Sequence, residues 1–146
     1  MERTPDNLEA AVLAIDPQES FSLQARDGVT LCNEAVRFML AALGVKYPRA
    51  VANQHADWLQ SAEAKADGWE ELDPEPARVR AELGFPVVAV WKNDSGGHGH
   101  EMLLTIAPDT GEGHIFVAGA GLRNFNCARI EESFGLSLHP RFYAHP

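Results

Sequence analysis

Apolar positions along the chain follow a helical period in the first half and a strand period in the second. Leu8, Ala11, Val12 and Ile15 recur at three- and four-residue steps, so a short helix is expected there, capped by Asn7 and ended by Asp16-Pro17. A polar stretch from Gln18 to Val29, with a turn at Asp27-Gly28, leads to the clearest helical pattern in the chain. Val36, Met39, Leu40 and Leu43 mark its buried face, Thr30 is placed to cap it, and Gly44 stops it. A third helix is predicted from about Val51 to Ala66, closed by Asp67-Gly68. Trp69 and Leu72 are expected in the core, with Glu70 and Glu71 in water. Asp73-Pro74 reads as the cap and first residue of a fourth helix, running through Ala77, Val79 and Leu83 to Gly84.

The texture then changes. Pro86 to Trp91 is a compact apolar run of strand type, and Asn93-Asp94-Ser95-Gly96-Gly97 is a dense turn signal. The run from His98 to Ile106 alternates imperfectly. Its even positions from His100 to Ile106 share one face, expected against the helices, and Glu101, Leu103 and Thr105 share the other. A second turn over 108–113 leads to a strand over His114–Ala118; residues 129–134 are ambiguous, and Arg141–Ala144 reads as a closing edge strand. Helices first and strands afterwards predict an α+β fold, N-terminal helices packed on a C-terminal antiparallel sheet.

A chain of 146 residues with 45% hydrophobic content fits a single domain over 1–146 with one core. No internal repeat or low-complexity segment interrupts it. The net charge of −9 excludes the basic face that a nucleic acid or anionic membrane would need. Neither a secretory signal nor a run long enough to span a bilayer is present, so no membrane insertion is expected. Two cysteines, Cys32 and Cys127, without an export signal, are expected as reduced thiols.

Cys32 falls in the first turn of its helix, where unpaired N–H groups favour thiolate. Lowering a thiol from about 8.5 to about 7 requires roughly 2 kcal/mol, and a helix terminus supplies about 0.3 to 1, so a nucleophilic Cys32 needs a base. A buried apolar role is the ordinary alternative for a free cysteine. Of the six histidines, His100 is the most suggestive, since it opens a strand after a Gly-rich turn. His98 and His100 form a His-x-His pair, but no spaced cluster marks a third ligand among His114, Glu101 or Asp94, and no metal or other cofactor is expected. Trp58, Trp69 and Trp91 are expected as core or groove wall rather than as sugar-stacking platforms.

Several motifs occur in a fixed order: Cys32-Asn33-Glu34-Ala35-Val36-Arg37-Phe38 closing in Leu43-Gly44-Val45, Ala52-Asn53 before Trp58-Leu59, Ala77 to Gly84, Val87-Val88-Ala89, and Gly97-His98-Gly99-His100. Over about residues 28 to 107 this order resembles the papain-like cell-wall amidases, CHAP-type in the broad sense. It is similar above all to the family-1 amidase effectors of type VI secretion and to phage lysins of the same kind. The resemblance implies a papain-like fold and a cysteine endopeptidase or amidase of peptidoglycan, with Cys32 as nucleophile and His100 as base. The bond cut would be an amide of the wall stem peptide. It further implies an antibacterial effector or lysin that acts in the periplasm or wall after injection or lysis-dependent release, with a cognate immunity protein as a possible partner. Departures from the family pattern are Glu101-Met102 after the histidine, Asn33 after the cysteine, and no polar residue at Phe116-Val117-Ala118 to orient the imidazole. That leaves His114, Asn124 or Asn126 for a third group, or a plain dyad. A deamidase or protease acting on a protein, and a non-catalytic binding module of the same fold, are the alternatives.

Overall fold

The computed structural model describes residues 1–109, 111 and 113–146. Its elements are helix α1 (Pro5–Ile15), α2 (Cys32–Ala42), α3 (Ala52–Leu59) and α4 (Ala62–Ala66), strand β1 (Glu70–Leu72), α5 (Pro74–Glu82), β2 (Val87–Trp91), β3 (His100–Thr105), β4 (Phe116–Gly119), β5 (Phe125–Arg129), α6 (Ile130–Phe134) and β6 (Arg141–Ala144). The strands form one antiparallel sheet in the order β1-β6-β2-β3-β4-β5. The α+β class is as the sequence predicts.

Helices cover both faces of the sheet rather than one. Leu8 and Val12 of α1, Met39 and Leu40 of α2 and Leu59 of α3 pack on Val88, Val90, Leu103, Ala118 and Tyr143. On the opposite face, Ala77 and Ala81 of α5 and Phe134 of α6 meet Val87, Ala89, Met102, Leu104, Val117 and Phe142. The strands in the middle therefore carry apolar residues at consecutive positions, since both of their faces are dry. That explains the imperfect alternation after His98.

Local differences from the sequence reading have identifiable causes. Thr4, not Asn7, caps α1: its hydroxyl accepts from Asn7 N at 3.1 Å, leaving Pro5 at the first helical position. Leu31 occupies the cap position of α2 with no side-chain cap, so Thr30 does not serve. The third helix is two, because Ser61 stops α3 and caps α4 through Ala64 N at 3.2 Å. Arg141–Ala144 lies inside the sheet, since the short β1, unforeseen as a strand, covers its outer side. The ambiguous stretch at 129–134 resolves into the end of β5 and all of α6. The turn expected over 108–113 includes residues 110 and 112, which lie outside the described residues. Neither cysteine is in a disulfide, and no helix of the described residues is long and apolar enough to cross a membrane.

Candidate functional site

Helix α2 runs across β3, and that packing sets its first residue, Cys32, at the end of the sheet where β3 begins. Asn33 ties this helix start to the approach of α3 by donating from Nδ2 to the Ala50 carbonyl at 2.9 Å. Asn53 does the same for the loop before β3. Its Oδ1 accepts from Asn93 N at 2.9 Å and its Nδ2 donates to the Gly97 carbonyl at 2.9 Å. Asn93 Nδ2 in turn donates to the His98 carbonyl at 3.2 Å. Gly99 is required for this closeness: a Cβ there would meet Asn53 Oδ1 and sit 2.6 Å from the Trp91 carbonyl. The result is an open groove of about 470 Å³, lined by Cys32 and Asn33 on one side and by Asn53, Gly97, His98 and Gly99 on the other.

Cys32 is only 5% exposed on the groove floor. Burial and then the charge of Glu101 push its pKa up to about 11, against the opposing pull of the Glu101, Asn33 and Cys32 backbone amides at the sulfur. The resting group is a thiol. Three amides near the sulfur can stabilise negative charge, on sulfur or on an oxyanion beside it, once a base has taken the proton.

Beneath the thiol lies a polar cluster that sequence reasoning missed. Glu101 is fully buried, and His55 Nδ1 approaches its Oε2 at 2.7 Å while His55 Nε2 approaches the Pro48 carbonyl at 2.7 Å. Both ring nitrogens face oxygen acceptors, an arrangement that only the doubly protonated imidazolium satisfies in full. Burial alone would lower the His55 pKa, yet the hydrogen bond to Glu101 and its charge outweigh that and raise it. Tyr47 stacks on the ring at 4.1 Å between centroids and 19° between planes. Glu101 Oε1 and Tyr47 Oη are both buried and make no hydrogen bond of ordinary geometry, although the Tyr47 hydroxyl lies close enough to the Glu101 carboxylate to interact with it. Burial and then the Glu101 charge drive the Tyr47 hydroxyl well above its ordinary pKa. A faint signal existed: an acid inside an apolar strand run needs a buried partner, and His55 falls at helical spacing with Ala52, Ala56 and Leu59 on the buried face of α3.

His100 does not join Cys32, which corrects the expected dyad. Cross-strand neighbours on one face of the sheet are Met102 with Gly119, and the next pair along is His100 with Gly121. His100 therefore points with Met102 toward α6, away from α2. Its Nε2 lies 2.7 Å from Ser133 Oγ, and its ring packs on Phe134 at 4.7 Å between centroids. Glu101, one residue on, takes the face toward Cys32 that the sequence reading gave to His100. Registering the strand by its Gly-His step placed the wrong member of the pair inward.

None of the residues considered for a third group meets either side chain. Asn124 holds the β4–β5 loop, accepting from Gly121 N at 3.1 Å and donating to the Pro17 and Leu23 carbonyls at 3.0 and 2.8 Å. Asn126 donates to Asp16 Oδ1 at 2.7 Å, and His114 is exposed beside α5. His98 is the one histidine lining the Cys32 groove among the described residues. No group of three or more His, Cys, Asp or Glu side chains among the described residues is placed to hold a metal ion. Trp69 is in the core on the α2 side of the sheet with Trp58 packed against it, and Trp91 packs against the core on the opposite side. No protein-family model matches the chain. No curated protein matches it either.

Proposed function

We propose that this chain is a cysteine-dependent hydrolase that cleaves amide bonds in the peptide stems of peptidoglycan, with Cys32 as nucleophile and His98, in place of His100, as its base. The observation that carries the reading is Cys32 at the first residue of α2, lining an open groove that His98 also lines. The His98 ring takes the thiol proton as sulfur attacks the carbonyl, then returns it to the leaving amine, and water clears the thioester. Amides of Asn33 and Glu101 are at hand for the oxyanion. The papain-like ancestry, the wall substrate, delivery as an effector or lysin and the immunity partner rest on the ordered motifs from Cys32 to His100.

A non-catalytic module of the same architecture is the second reading, favoured by a thiol that is 5% exposed and has its pKa near 11. Digestion of isolated peptidoglycan with product masses separates the two. The hydrolase releases new stem fragments, Cys32→Ala releases none, and His98→Ala is slowed by about 100-fold or more. Undiminished release by Cys32→Ala removes the hydrolase reading.

A further inference from the structure

The face of β3 opposite the groove holds the closest pairing of a hydroxyl with a histidine nitrogen among the described residues, Ser133 Oγ to His100 Nε2 at 2.7 Å. That is the separation a nucleophile and its general base require. The ring is held from two sides. Phe134 packs on it at 4.7 Å between centroids, and Gly121 lies so close that a Cβ there would sit 3.2 Å from Cε1. Beside the pair is a pocket of about 350 Å³ with Leu122, Phe125 and Leu138 among its walls. Leu122 is 86% exposed, unusual for a leucine and placed at the pocket mouth. Arg123, also at the pocket, rests on the Phe125 ring at 5.1 Å, and Glu132 is another of the pocket's lining residues.

We propose that Ser133 and His100 form a second nucleophile–base pair, independent of Cys32, that cleaves a small carboxylic ester with an apolar acyl group. Ser133 Oγ forms a bond to the acyl carbon while its proton passes to His100 Nε2. The ester C–O bond breaks, and the departing alcohol takes that proton. Water then gives a proton to His100 and its oxygen to the acyl carbon, releasing the carboxylic acid and restoring the Ser133 hydroxyl. Burial lowers the His100 pKa to about 4, which keeps the ring neutral and Nε2 open to a proton at neutral pH but also makes it a weak base, so proton transfer has to accompany attack by Ser133 Oγ rather than precede it. The walls suit a short acyl chain. The exposed Leu122 extends that apolar surface outward.

The test is covalent labelling with an alkyl fluorophosphonate, read by intact mass and peptide mapping. Expected is one adduct on Ser133 in the unaltered protein and at an equal rate in Cys32→Ala, which keeps the result separate from the fate of the groove reading. Ser133→Ala should take up none, and His100→Gln should label at least tenfold more slowly while melting as a folded protein. A folded chain that leaves Ser133 unlabelled, or that labels as fast in His100→Gln, makes Ser133 a mere anchor for the ring and overturns the proposal.

Discussion

His100 and Glu101 follow one another on β3 and enter opposite layers of the molecule. Glu101 enters a buried cluster, with Cys32 above it, His55 against one oxygen and Tyr47 beside the carboxylate. His100 enters a half-open pocket, where its partner is a neutral hydroxyl that water could replace. The two histidines accordingly move in opposite directions. His55 gains a carboxylate and its pKa rises despite burial, whereas His100 gains no charge and burial lowers its pKa to about 4. Burial alone does not decide the state of a histidine; the partner does.

Removing one partner from each side tests this contrast most severely. His55→Leu strands the Glu101 carboxylate in the core and should cost about 3–5 kcal/mol in urea unfolding. His100→Leu leaves only the half-exposed Ser133 hydroxyl and should cost about 1 kcal/mol. Equal losses would dissolve the distinction.

The pH dependence sharpens it. The folded pKa of His100 lies below the unfolded value of about 6.5, so the unfolded chain binds the proton first as pH falls. Its contribution is complete above about pH 6.5 and declines toward pH 4, by roughly 3 kcal/mol, and His100→Leu should flatten that acid limb. His55 behaves in the opposite sense. With its folded pKa raised, its stabilisation is full below about pH 6.5 and fades as pH climbs through the folded value, a limb that His55→Leu should abolish. Chemical denaturation across pH reads both.

A smaller change comes from the charge below the thiol. Glu101→Gln removes the negative charge that, after burial, lifts the Cys32 pKa, so the midpoint of iodoacetamide reaction should fall from about 11 while burial keeps it above the ordinary range near 8.5. Thr4→Ala is remote from both regions: loss of the α1 cap should cost about 1 kcal/mol, as much as His100→Leu, yet leave either histidine limb unchanged.

What the chain reveals before folding follows the same divide. Periodic stretches such as Val36-Met39-Leu40-Leu43 and punctuation such as Asp73-Pro74 declare their helices, because those signals are local. Cys32 at a helix start is local too, and the structure puts it at an open groove. The face of His100 is not local. It depends on the register of β3 against β2 and β4 and on helices covering both sides, and with apolar residues at every step from Met102 to Leu104 the alternation carries no sign of which side is which. The His55–Glu101 contact spans 46 positions, beyond any window of pattern reading. Short β1 and β5 escaped notice because Glu70-Glu71 are both exposed on an edge strand and Asn126-Cys127 interrupt the apolar run of β5.

The proposed reactive centre is the Cys32 groove with His98, and His100 has no part in that chemistry. Peptidoglycan digestion by single alanine variants, followed by mass analysis of the stem fragments, reads it most directly. Expected are no products from Cys32→Ala, a loss of about 100-fold or more from His98→Ala, and products from His100→Ala within a few fold of the unaltered chain. Full loss in His100→Ala with His98→Ala untouched would contradict it.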